Sequence, residues 1–209
     1  MTTRDLETPM PNMGVFENHA ELPNIAQQMT ELKLLEQRAV FISEAITSRS
    51  AKRFITEFLT LDAQGPGEPI KLYVNSPGGE VNSGFAIYDT IRFLQSPVTV
   101  INTGLCASIA TIINISVPKE RRLSMPNASY LIHQPLIPGQ IYGQASDIEI
   151  RAREILKTRA KINQMLADAC GKPLEQVEKD TVRDYWMSAP EAVDYGLVTK
   201  IVENVKEIG

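Results

Sequence analysis

Between Arg38 and Ile115 the chain alternates three short β-branched runs with three stretches of helical spacing, and no other feature restricts its fold as much. Arg38-Ala39-Val40-Phe41-Ile42, Ile70-Lys71-Leu72-Tyr73-Val74 and Val98-Thr99-Val100-Ile101 have the composition of strands. Behind the first, Ala51, Phe54, Ile55, Phe58 and Leu59 recur at helical steps, with Thr47 placed as an N-cap. Behind the second, Val81, Phe85, Tyr88, Ile91 and Leu94 do the same until Ser96-Pro97 ends the run. Strands alternating with helices in this way predict a parallel sheet joined by right-handed crossovers.

The third run leads into Gly104-Leu105-Cys106-Ala107-Ser108-Ile109-Ala110 and then into the helix-like Thr111-Ile112-Ile113-Asn114-Ile115. A strand that ends in glycine and continues into a helix turns sharply, and Cys106 and Ala110 are small enough to let the turn at Ser108 tighten. They stand where the elbow motif G-x-S-x-G carries its glycines. A serine at the start of such a helix has its hydroxyl near the positive end of the macrodipole and near free backbone N–H groups, where an oxyanion can be held. Ser108 is therefore the candidate nucleophile; the plainer alternative is a small serine packed in the core.

A serine nucleophile needs a base to take its proton and a third group to orient that base. The chain has two histidines, His19 and His133. His19 lies among prolines near the N-terminus, whereas His133 closes the apolar run Ser129-Tyr130-Leu131-Ile132 and precedes Gln134-Pro135, which makes it the better base. For the orienting carboxylate, Asp147, Asp168, Asp180, Asp184 and Asp194 all qualify, and Asp184 stands out because Tyr185-Trp186-Met187 would bury it. Ser76-Pro77-Gly78-Gly79 ends a strand and opens a helix, a turn whose backbone N–H groups can face an oxyanion.

Around this frame, residues 1 to about 33 carry Pro9, Pro11, Gly14 and Pro23 among polar residues and read as an arm. Arg122-Leu123-Ser124-Met125 is a further β-like run. From the capping box Ser146-x-x-Glu149 a helical pattern runs to Gly171. About 24 residues at 1.5 Å each span some 36 Å, more than the width of a small domain, so part of this helix should project and find apolar cover on another subunit. Leu174 to Lys179 form a short helix, Ser188-x-x-Glu191 caps another that Gly196 ends, and Leu197 to Val202 make a last strand.

Composition excludes several classes of function. At 209 residues the chain fits one domain. Its net charge of −4 and its scattered basic residues argue against nucleic acid as a partner. Two cysteines, Cys106 and Cys170, make no disulfide framework, and no Cys/His cluster has metal-ligand spacing. Without a signal-like N-terminus or an apolar run of membrane length, the expectation is a soluble, cytoplasmic protein that does not enter membranes.

Five motifs then occur in order: Asn75-Ser76-Pro77-Gly78-Gly79, the Ser108 segment, Tyr130-Leu131-Ile132-His133-Gln134-Pro135, Gly143-Gln144-Ala145-Ser146-Asp147-Ile148-Glu149-Ile150 and Ser188-Ala189-Pro190-Glu191-Ala192. Together they resemble the Clp protease proteolytic subunit family, over roughly Leu34 to Val202. The resemblance implies an α/β, crotonase-like fold of repeated ββα units. It places a peptidase domain at 34–209 with a projecting handle helix at about 146–170, behind an N-terminal axial segment at 1–33. It further implies a serine endopeptidase that hydrolyses unfolded proteins to short peptides inside a chamber of two stacked seven-membered rings. The rings would be built from copies of this chain or completed by a paralogous Clp subunit, and fed by a AAA+ unfoldase of the Clp type. ATP would be used by that partner, leaving this subunit without cofactor or metal. Carried over residue by residue, Ser108 is the nucleophile, His133 the base, Asp184 its orienter, and the N–H groups of Gly79 and Ile109 the oxyanion hole.

The sequence departs from the family at Met29-Thr30-Glu31-Leu32-Lys33 and at Lys71, where the family often has an aromatic residue in the unfoldase docking pocket. It also departs in a loop after His133 that looks about two residues longer than usual. The alternatives are a structural or accessory subunit of a mixed Clp ring and a crotonase-type acyl-CoA enzyme, the latter typically longer and acting through carboxylates.

Overall fold

The structure, a computed structural model, describes residues 25–136 and 143–208. The expected alternation is present: β1 (Ala39–Ile42), α2 (Ser48–Gln64), β2 (Ile70–Ser76), α3 (Val81–Phe93), β3 (Val98–Ala107) and α4 (Ile109–Asn114) follow one another. A first helix, α1 (Ile25–Glu36), precedes them, and β4 (Arg122–Ser124), β5 (Ser129–Ile132), α5 (Ala145–Cys170), α6 (Leu174–Asp180), β6 (Tyr185–Ser188), α7 (Ala189–Tyr195) and β7 (Lys200–Ile201) complete the chain. The sheet runs β1-β2-β3-β4-β7, all parallel.

Alternation along each strand sorts side chains onto two faces. Val40 and Ile42 of β1, Leu72 and Val74 of β2 and Val100 of β3 are buried on one face against Phe54, Phe58 and Leu61 of α2 and Ile87 and Ile91 of α3. Burying each phenylalanine contributes roughly 1.5–3 kcal/mol. Thr47 caps α2 as expected, its hydroxyl accepting from the Ser50 N–H at 3.1 Å while Ser50 Oγ accepts from the Thr47 N–H at 2.9 Å. The opposite face holds a smaller cluster of Ile101, Leu123 and Val202, with Tyr73, Met125 and Ile208 packed on it.

Strand β3 is the hinge of the architecture. Val100 to Asn102 pair with β4, whereas Leu105 to Ala107 pair with β5, so a single strand serves two neighbours. Its register against β2 slips between Val74 and Ser76: Val74 lies opposite Asn102 but Ser76 lies opposite Cys106. The extra residues bend β3 and carry Ser108 to its end.

Several expectations need correction. The sheet is not wholly parallel, because β6 adds antiparallel to β5, with Ile132 opposite Tyr185. Residues 25–33, read as part of an arm, are helical and continuous with Leu34 to Glu36; Leu35 packs on the main core and so ties α1 to the body. Residues 1–24 lie outside the described residues. Helix α5 begins at Ala145 with Gln144 as N-cap and no side-chain cap, because Ser146 already sits inside the first turn and Glu149 pairs with Arg153 at 2.8 Å. The last strand is only Lys200–Ile201, since the amides of Leu197 and Val198 are bonded to Ala192 O at the end of α7. Gly171 and Gly196 stop α5 and α7 in the left-handed conformation, and the Ser188–Glu191 capping box is formed. The expected lengthening of the loop after His133 falls on 137–142, outside the described residues.

Candidate active site

Ser108 sits between β3 and α4 with φ 56° and ψ −125°, a conformation that side chains other than hydrogen adopt at a cost of about 1–3 kcal/mol. The surroundings hold it there. Its N–H donates to Leu131 O at 2.8 Å, and its carbonyl accepts from the Thr111 N–H at 3.0 Å and the Thr111 hydroxyl at 2.7 Å. Cys106 and Ala110, on either side of the turn, are fully buried, so larger residues would push it open.

His133 leaves the end of β5 directly opposite. Its Nε2 lies 2.8 Å from Ser108 Oγ and its Nδ1 lies 3.0 Å from Asp184 Oδ1. The imidazole is 13% exposed and the Asp184 side chain 61%. The antiparallel pairing of Ile132 with Tyr185 is what brings the two ends together. Asp184 is thus the carboxylate beside His133, but not for the reason the sequence suggested: Tyr185 and Trp186 are 39% and 56% exposed and do not bury it. Of the other candidates, Asp180 accepts from the Tyr195 hydroxyl at 3.0 Å and Asp168 from Gln164 at 2.7 Å, so these two are engaged elsewhere. His19 lies outside the described residues. Ser108 borders a small, mostly apolar cleft lined by Val81, Ile109, Ile112, Ile132, Ile162 and Leu166.

The Asn75–Gly79 turn packs against this elbow. Ser76 Oγ donates to Glu44 O at 2.6 Å and accepts from the Gly78 N–H at 3.1 Å, which shapes the turn. At Gly78 (φ 85°) a Cβ would stand 2.8 Å from Ser108 Cβ, and at Gly79 (φ 151°) a Cβ would stand 2.1 Å from Ile46 O. Both glycines are therefore required for the approach. The Ile46 N–H donates to Gly78 O and the Glu80 N–H to Ile46 O, each at 2.8 Å, and this parallel bridge turns the Gly79 N–H to the other side. Ile109 is the first residue of α4, so its N–H has no acceptor within the helix. Gly79→Ala is expected to destabilise the fold by more than about 1–3 kcal/mol, because it adds backbone strain and a clash with Ile46. Chemical denaturation measures this, and an unchanged midpoint would show that the turn can relax.

Sequence reasoning missed Gly84, whose missing side chain lets α3 approach Ile109: a Cβ there would lie 2.1 Å from Ile109 Cγ1. The only signal was a glycine inside a helical pattern. Both cysteines are buried thiols; burial pushes Cys106 far above the usual thiol range and Cys170 up to about 11. Among the described residues no group of His, Cys, Asp and Glu is arranged to hold a metal, and no helix is long and apolar enough to cross a membrane.

The Clp protease family model matches residues 24–205. The chain is 42% identical, over 97% of both lengths, to the ATP-dependent Clp protease proteolytic subunit 1 of Protochlamydia amoebophila. It is 46% identical to proteolytic subunit 3 of Rhizobium johnstonii, over 86% of this chain and 91% of that one. Among solved structures it is similar to a ClpP1 point mutant from Listeria monocytogenes, with a TM-score of 0.79 and 39% identity over 86% of this chain and 99% of the other. The match starts ahead of Leu34, in keeping with α1 as part of the body.

Proposed function

The chain belongs to the Clp protease family, and on that footing we propose that Ser108, His133 and Asp184 are the catalytic triad of its serine endopeptidase activity. The fold is the α/β, crotonase-like fold of that family. The observation that carries the assignment is the unbroken chain of contacts from Asp184 Oδ1 through both imidazole nitrogens to Ser108 Oγ.

In this reading His133 Nε2 takes the hydroxyl proton as Ser108 Oγ attacks the scissile carbonyl carbon, and Asp184 accepts from Nδ1–H and stabilises the imidazolium. The carbonyl oxygen becomes an oxyanion held by the Gly79 and Ile109 N–H groups. The tetrahedral intermediate collapses and the C–N bond breaks. His133 then gives its proton to the leaving amine, which leaves an acyl ester on Ser108. Water, deprotonated by His133, attacks that ester by the same steps in reverse and frees the acid. Every proton in this cycle is carried by the chain's own residues or by water. A fluorophosphonate probe tests the reading: it should label Ser108 in the native protein, and labelling at any other residue would refute it. The acyl-CoA alternative loses ground, since one hydroxyl, one imidazole and one carboxylate meet here.

Relatives named as proteolytic subunits of an ATP-dependent protease support an oligomer that works with a Clp ATPase, in the cytoplasm, on unfolded protein chains. We assign contact between stacked rings to the first half of α5. That helix has 26 residues, about 39 Å at 1.5 Å each. Its second half is buried through Ile162, Leu166 and Cys170, whereas Ile148, Ile150 and Leu156 are 37%, 57% and 59% exposed. Leu156→Asp should split or loosen the particle, since an unpaired charge buried at an interface costs several kcal/mol. The same change leaves the isolated fold alone because Leu156 is exposed there. Light scattering decides, and an unchanged mass would place the interface elsewhere. Docking of the ATPase we assign to the open sheet face, where Phe41 and Tyr73 stack at 4.9 Å beside a groove of mixed character, lined by Leu32, Leu35 and Phe41 together with Glu31, Arg53 and Glu57. Lys71, half-buried opposite Ala39, is not among the residues that line this groove.

A further inference from the structure

The segment that delivers Asp184 has a second anchor, away from the reacting atoms. The Asp184 side chain is largely exposed, and among the described residues its hydrogen bond goes to His133 alone. Packing around that side chain therefore does not fix it; the backbone from Thr181 to Tyr185 does. One end of that backbone is held by the β5–β6 pairing. The other end is held by Gln134, whose N–H donates to Thr181 O at 2.8 Å and whose Nε2 donates to Val182 O at 3.0 Å. Thr181 is itself fully buried, and its hydroxyl lies 3.0 Å from Asn163 Oδ1 and 2.9 Å from Val177 O. Asn163 is 1% exposed and lies on α5, between Ile162 and Leu166 of the apolar cleft, where that helix passes from exposed to buried.

We propose that Asn163 and Thr181 are a positioning pair: they lock the Asp184-bearing segment to α5 and so hold the carboxylate at hydrogen-bond distance from His133. The proposal rests on the triad reading above. Neither residue touches reacting atoms, and both act through Asp184. Without the contact the Thr181 hydroxyl keeps Val177 O, but the buried Asn163 amide, whose Nδ2 has no partner among the described residues, loses its contact to Thr181 as well, and that cost restrains where Thr181 sits. Because Asn163 belongs to the helix whose first half projects, the seating of that helix and the placement of Asp184 share one contact.

The test is hydrolysis of a short fluorogenic peptide by the assembled protein. Thr181→Val keeps the shape and removes the hydroxyl; kcat should fall roughly 10- to 100-fold, the scale of a small misplacement of a catalytic group, with KM unchanged. Thr181→Ser should return most of the rate. In an Asp184→Asn background Thr181→Val should add little further loss, since the partner it positions is already disabled. Wild-type kcat in Thr181→Val, or a full additional loss in the Asp184→Asn background, would overturn the proposal. Should Thr181→Val fail to assemble, Asn163→Leu decides, because it removes the acceptor of the Thr181 hydroxyl at nearly constant volume beside Ile162 and Leu166. It should lower kcat in the same direction, and an unchanged kcat there counts equally against the pair. Failure of the triad reading would look different: Ser108→Ala or Asp184→Asn would themselves keep activity.

Discussion

Ser108→Ala is expected to abolish peptide cleavage and probe labelling while leaving fold and assembly as they are. The substitution removes the attacking oxygen and nothing else of consequence. The strained backbone at φ 56° already accommodates a Cβ, so alanine adds no strain there. The bonds that hold the turn run through the Ser108 N–H and carbonyl and survive the change. His133 loses one partner, but its contact with Asp184 remains. Loss of a triad serine costs on the order of 10⁶ in kcat in a well-measured protease, with a small residue of catalysis left to the oxyanion hole and to binding. The measurement is peptide turnover, read beside particle mass and melting temperature. A variant of native mass that still labels with a fluorophosphonate would remove Ser108 from the mechanism.

Much of this site is legible in the sequence, and the reasons differ from residue to residue. Ser108 stood out because a β-branched run, a glycine and a helical run describe an elbow, and that is a local signal. His133 followed from scarcity, there being one other histidine in the chain. Asp184 is marked in the sequence by the aromatic run that follows it, yet its side chain is exposed and reaches His133 through β5–β6 pairing, which is a long-range fact. An antiparallel strand added to a parallel sheet has no short-range mark, and neither has the register slip at Ser76 that bends β3. The restraint through Asn163 and Thr181 was hidden for the same reason, since 18 residues separate the partners and each residue alone looks like an ordinary surface polar group. Helix α1 carries a weak local signal, because Ile25, Met29 and Leu32 recur at helical steps but directly behind a proline-rich stretch that breaks periodicity.

Asp184→Asn should lower kcat by about 10² to 10⁴ with little effect on KM or assembly. As a carboxylate, Asp184 can only accept, so the hydrogen on His133 belongs on Nδ1 and the Nε2 lone pair faces Ser108 Oγ. An asparagine can present its NH₂ instead, which stabilises the tautomer with hydrogen on Nε2, and that imidazole cannot take the serine proton. The amide also offers no charge to the imidazolium that forms during attack. In the template protease, where the aspartate is buried, the same change costs about 10⁴. Here the side chain is 61% exposed, so water screens part of the charge effect, while the tautomer effect is untouched by exposure. The lower end of the range is what remains if the tautomer effect dominates. Asp168→Asn serves as the control, because Asp168 bonds to Gln164 on α5 and not to His133, and its kcat should equal that of the wild type. Wild-type turnover in Asp184→Asn would mean that the contact at 3.0 Å is incidental and that His133 is oriented by another group. A loss confined to KM would mean that Asp184 acts on substrate binding instead.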